Sequence, residues 1–214
     1  MTYTVLEVVA AGIVRAEGIY LNAPETAATP AEIRYTMLGI LENDNLPLDK
    51  AQDVIDTITG SASMRSLYGL NVNGFTLKLA ECLMNPDAIA IEKEYNFLSY
   101  AKSVSDGIKE INSINEMLCT SRHVGEVKDV ITRNLKILKC SFIEGNDRWG
   151  GFYVATAVDE HGDGFSFSPK TFLEKTDDYS VKLKGKVKSH KQDKFWCNAL
   201  ITTLFYCKIS CNQN

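Results

Sequence analysis

VKLKGKVKSHKQDKFWCNALITTLFYCKI, running from Val181 to Ile209, joins two different patterns. Lys182, Lys184, Lys186 and Lys188 fall on every second residue, with Val181, Leu183 and Val187 between them. Successive side chains of a strand point to opposite faces, so this spacing predicts a strand with one basic and one apolar side. NALITTLFYCKI, from Asn198, predicts the next strand, and SHKQDKFW, Ser189 to Trp196, the loop between the two. The period-2 texture extends upstream. VKDVITRNLKILKCSF from Val127, FYVATAV from Phe152 and FSFSPKTF from Phe165 read as three more strands. They are separated by the turns GNDRWGG and DEHGDG, and LEKTDD, a connector with room for a helical turn, leads into the fourth. Gly151 and Gly185 stand where such strands would bend.

Before residue 121 the period is helical. Thr29, Pro30 and Glu32 make an N-cap, a first-turn proline and a capping-box acid, which predicts a helix with Ile33, Met37, Ile40 and Leu41 on its buried face. A second helix is expected from Asp49, with Ala51, Val54, Ile55 and Ile58 on one side and Gly60 as its stop. GSASMRSLYGLNVNG then reads as loop or hairpin, and FTLKLAECLM as a short helix. From Asn85 and Pro86 the apolar series Ile91, Tyr95, Leu98, Ala101, Val104, Ile108, Ile111, Ile114 and Leu118 predicts one long amphipathic helix, packed within the chain or paired with a second copy as a homodimer. The first twenty residues fit either strands or a short helix.

Composition bounds what such a chain does. The 214 residues are 45% apolar, enough for a sizeable core. No apolar run is long enough to span a bilayer, and the N-terminus lacks a basic start and carries Glu7, so neither a membrane span nor a signal peptide is expected. The expectation is a cytoplasmic protein, of the host cell if the chain is viral. Six cysteines without any C-x-x-C fit reduced thiols better than a metal site, and Cys207 and Cys211 on either side of KIS, with His190 as a third ligand, make only a weak ligand spacing. The net charge of −4 divides unevenly: residues 1–120 carry 8 Lys/Arg against 16 Asp/Glu, and residues 121–214 carry 15 against 11. A basic module beside an acidic one suits a nucleic-acid reader whose other half faces proteins.

The predicted class is therefore α+β: residues 1–120 an acidic, mainly helical region of unassigned role, and residues 121–214 a five-stranded antiparallel barrel. Strand count and rhythm match an OB-fold, and an SH3-like barrel fits the count nearly as well. The lysines alone read equally well as a solvated guard on an edge strand. The loops add more. Lys191, Lys194, Phe195 and Trp196 follow the fourth strand, and Arg148, Trp149 and Phe152 sit in the first turn. These are the two loops with which an OB-fold grips oligonucleotides. Cations hold phosphates by counterion release and aromatic planes stack on exposed bases, which is what a single strand requires. Lys182, Lys184, Lys186, Lys188, Lys191, Lys194 and Arg148 are therefore expected to hold phosphates, and Trp149, Phe167, Phe195 and Trp196 to stack bases. Phe167, with Phe165, is a further candidate for stacking or for the core, and each tryptophan has the alternative of plugging the barrel.

SRHVGEVKDVITRNLKILKCSF, WGGFYVATAVDEHGDGFSF and the opening stretch together resemble the OB-fold of bacteriophage single-stranded DNA-binding proteins. Gly185, Val187, Lys188 and His190 match a G-x-V-K-x-H segment, and Thr202 and Thr203 a Thr-rich final strand. The resemblance covers about residues 121–210. It implies single-stranded DNA as partner, in viral replication or recombination, with no cofactor. The acidic tail of many such proteins has no counterpart in SCNQN, Ser210 to Asn214, so that recruitment of replication or recombination proteins is expected either in the acidic N-terminal region or not at all. The competing expectation is an interaction or inhibitor protein that uses the barrel as a scaffold against a host or viral protein. No catalytic motif occurs, so an enzyme is not expected. Asp159, Glu160, His161 and Asp163 in DEHGDG read as a hairpin turn in preference to metal ligands, because Gly162 and Gly164 suit a turn.

Overall fold

A computed structural model describes residues 2–17, 29–42, 45–67, 74–145 and 150–211, with helices first and a sheet after them. The chain divides into two compact units, Met1–Glu110 and Ile111–Asn214.

In the first unit the ambiguous N-terminal stretch is a helix, α1 (Val5–Ala16). Thr4 Oγ1 accepts from the Glu7 amide at 3.2 Å, and the Glu7 carboxylate accepts from the Thr4 amide at 2.7 Å. This reciprocal cap fixes the helix start and overrides the loose alternation that also suggested strands. α2 (Pro30–Leu41) starts at the predicted cap, with Thr29 and Glu32 exchanging the same bonds, and buries the four expected residues. α3 (Leu48–Leu67) runs past Gly60, which does not stop it: the glycine lies on the exposed side of a helix already held by Ala51, Val54, Ile55, Ile58 and Ala62. The start of the expected loop or hairpin after Gly60 is thus helical, and α4 (Gly74–Leu83) follows the residues left undescribed.

The single long helix expected after Pro86 is broken. A bridge pairs Thr4 with Ile89, a 3-10 turn spans Glu92–Glu94, and α5 (Tyr95–Leu98) is one turn long. Only α6 (Ala101–Leu118) keeps the expected period. Close approach explains the break: a Cβ on Gly12 of α1 would sit 3.0 Å from Ser99 Cα in the turn between α5 and α6. The apolar stripe of α6 is used within the chain. Ala101 and Ile108 join the first unit's core, while Ile114 and Leu118 join a cluster in the second.

The second unit holds five strands: β1 (Val130–Ile143), β2 (Phe152–Asp159), β3 (Gly164–Phe167), β4 (Val181–Asp193) and β5 (Ala199–Cys211). They close into a ring in the order β1-β2-β3-β5-β4. β1 serves two neighbours, pairing β4 through Val130–Leu135 and β2 through Leu135–Ile143. The sheet is mixed: β3 and β5 run parallel, and the other pairings are antiparallel. The fully antiparallel expectation fails on parity, because a closed ring with an odd number of strands cannot alternate direction all the way round. Leu135, Ile137, Ala155, Phe165, Phe167, Val181, Leu183, Val187 and Leu204 fill the interior. Two boundaries differ from expectation: β4 continues through SHKQD to Asp193, and residues 168–180 form no helical turn.

Candidate nucleic-acid interface

A bulge in β1 builds the floor of a groove. Ladder register shifts between Ile137 and Lys139, so Leu138 and Lys139 both leave the interior, where Leu135 and Ile137 point. On this outer side Leu138, Val158 and Ile201 are covered by Ile114 and Leu118 from the end of α6. Gly164 of β3 admits that cover: a Cβ there would meet Ile201 Cδ1 at 2.5 Å and Leu118 Cδ2 at 2.9 Å. Beyond the covered patch the same side is open. Lys139, Ser141 and Ile143 of β1, Val154 and Thr156 of β2, and Ser166 of β3 line a groove of ≈ 250 Å³. Its far wall is the end of β4, with Lys191 and Asp193, and the turn after it, with Phe195 and Trp196.

The turn presents one aromatic and hides the other. Asp193 caps a short 3-10 turn by accepting from the Phe195 amide at 3.1 Å, and the chain returns through Cys197 and Asn198, both left-handed with φ of 49° and 63°. Phe195 remains 59% exposed. Trp196 is 6% exposed and packs with Ile114, Leu118 and Leu138, its ring edge-on to Phe195 at 4.5 Å and 84°. Trp196 is therefore a core wedge beneath the turn, and its stacking role is withdrawn. Phe167, 2% exposed inside the ring, is withdrawn for the same reason: a buried ring has no free face. Phe152, paired with Ile143, continues the groove side of the β1–β2 hairpin and is half exposed. Arg148 and Trp149 lie outside the described residues.

Cations line both the floor and the wall of the groove. Lys139 rises from its floor, and Lys191 lies 2.6 Å from Asp193 Oδ2. Lys194 is exposed in the turn itself. Two histidines brace this end of β4: His123 and His190 stack at 4.5 Å and 26°, with their Nε2 atoms 3.2 and 3.0 Å from the carbonyls of Lys191 and Gly125. A carbonyl only accepts, so both Nε2 atoms carry the proton. Thr202, also buried, accepts from the Val124 amide at 2.9 Å and fixes the same segment.

The alternating lysines are elsewhere on the ring. Val181, Leu183 and Val187 point inward as predicted, and Lys182, Lys184 and Lys188 are exposed with Lys186 half-buried. From Val181 to Lys186 β4 is hydrogen-bonded to β1 on one side and β5 on the other, so Lys182, Lys184 and Lys186 guard no free edge. DEHGDG is a hairpin turn held by its own acids. Asp159 Oδ1 accepts from the amides of His161 and Asp163, and Asp163 Oδ1 from the amide of Arg122. The other Asp159 oxygen lies 3.4 Å from Arg133 Nε. No metal-binding cluster occurs among the described residues. Sequence reasoning missed Lys139, Thr156 and Ser166, because only the bulge and the register bring them to one side of the sheet. No protein-family model, curated protein or solved structure matches this chain.

Proposed function

We propose that the second unit is an OB-fold and that the chain binds single-stranded DNA without strong sequence preference, in the groove between the β1–β2–β3 surface and the β4–β5 turn. The observation that carries this reading is the groove itself: an open sheet face flanked by the exposed ring of Phe195, with Lys139 on its floor and Lys191 on its wall. The strand order, with β3 beside β5, supports the OB-fold in preference to the SH3-like alternative, as does the position of the groove against the turn that follows β4. A base stacks on Phe195, and Phe152 offers a second ring across the sheet. Lys139, Lys191 and Lys194 hold phosphates, while Ser141, Thr156 and Ser166 offer hydroxyls to the backbone. A participation in viral replication or recombination rests on the resemblance to phage proteins alone.

Fluorescence anisotropy of labelled oligo(dT) against salt is the test. Binding should weaken steeply as salt rises, since phosphate contacts release counterions. The reading is abandoned if the full chain fails to bind at low salt.

A further inference from the structure

We infer that the β4–β5 side of the ring carries a second single-strand contact, centred on Tyr206 and the lysines around it. This deepens the proposed function and rests on it. Tyr206 is 83% exposed and left-handed, with φ of 52°, a conformation unfavourable for an aromatic L-residue. The cause is a bulge. Lys184 pairs with Lys208 and Lys186 with Phe205, so β5 spends one more residue than β4 across this interval. Leu204 and Cys207 both turn inward, where a Cβ on Gly185 would meet them at 3.3 Å or less. Phe205 and Tyr206, lying between those two, are left together on the outside, their ring centroids 4.5 Å apart. A regular strand would have turned Tyr206 inward and carried Lys208 in with it. The bulge thus maintains an exposed ring and an outward lysine at the cost of backbone strain, a combination that marks functional positions.

The charges point the same way. Lys182, Lys184, Lys186, Lys188 and Lys208 form no ion pair among the described residues, and Lys186 Nζ lies 6.0 Å from the Phe205 ring centroid. Lys184 directly opposite Lys208 is a like-charge cross-strand pair, which weakens a sheet unless a polyanion covers it. Because β4 is paired on both sides from Val181 to Lys186, protection of a free edge does not account for Lys182, Lys184 and Lys186, whereas β5 beyond Thr203 pairs β4 alone. Exposed aromatics among unpaired cations suit bases and phosphates together. Lys184 and Lys191 are separated along β4 by roughly 23 Å at about 3.3 Å per residue, so a strand seated in the groove must extend beyond it to touch Tyr206.

The experiment uses the full chain, an oligo(dT) of roughly thirty nucleotides, longer than one OB-fold usually covers, and three variants: Tyr206→Gly, the double variant Lys184→Gln/Lys208→Gln, and Phe195→Ala. Tyr206→Gly should weaken binding by about fivefold or more while the melting temperature stays level or rises, because glycine relieves the left-handed strain. The double variant should flatten the salt dependence, again without loss of melting temperature. A fall in melting temperature with Tyr206→Gly makes the bulge a packing device and overturns the inference. Unchanged affinity in both β4–β5 variants, with loss only in Phe195→Ala, overturns it and leaves the groove reading intact. Lysine-dependent binding of polyglutamate without any effect on oligo(dT) assigns the face to acidic polypeptides and also overturns it. Failure of the unaltered chain to bind oligo(dT) removes the proposed function and this inference together.

Discussion

Neighbouring rings in one turn have opposite fates, and substitution separates them. Phe195→Ala should cost about 1 to 3 kcal/mol in oligo(dT) binding, the worth of one stacked base, and leave the melting temperature unchanged. Trp196→Ala should cost about 3 to 5 kcal/mol of folding stability, since it empties a site packed by Ile114, Leu118 and Leu138. Urea unfolding monitored by circular dichroism reads the second; anisotropy reads the first. The thiols divide similarly. Burial pushes the Cys207 thiol up to about 11, whereas Cys119 and Cys197 are exposed. A thiol reagent at neutral pH should label the exposed pair first and Cys207 more slowly. The unfolded chain gives up the Cys207 proton near 9 and the folded chain only near 11, so this group's contribution to stability is full below pH 9 and declines above it.

Elements were legible in the sequence where a local rule decides them. The Thr29–Pro30–Glu32 cap places the start of α2 by its own hydrogen bonds, and Thr29→Ala should cost about 1 kcal/mol by thermal unfolding. Thr29 also holds the Glu32 carboxyl below its usual range, so this cap persists above the ordinary carboxylate pKa and fails as pH falls through the lowered value. Gly60 misled for a corresponding reason: the glycine signal is local, whereas the continuation of α3 is decided by Ala62 in a core assembled from distant segments. The strands and the inward alternation of Val181, Leu183 and Val187 were readable. The bulges at Leu138 and Tyr206 were not, because each depends on register against a partner strand, and together they determine which side Lys139 and Lys208 occupy. Gly164 belongs to this class as well. Gly164→Val should lower stability by about 1 to 3 kcal/mol by driving Ile201 and Leu118 off β3.

At the scale of the molecule, acidic residues concentrate before residue 121 and basic ones after it, so the whole-chain charge of −4 understates the attraction of the ring for a polyanion. With roughly five phosphates engaged, log K against log salt should have a slope of about −3.5 for single strands, and a slope near zero would deny backbone contact altogether. The ring has a further consequence in time. β5 pairs with both β3 and β4 and comes after them in the chain, so the ring cannot close until Ala199–Cys211 has emerged from the ribosome. By then the helices of Met1–Glu110 have had the synthesis of the whole second unit in which to fold. Nascent β1 to β4 meanwhile hold Phe165, Leu183 and Val187 without their final partners. Chains stalled before Ala199 should therefore be the species that nascent-chain chaperones capture, and arrest-peptide force profiles should show one folding event early and a second only after β5.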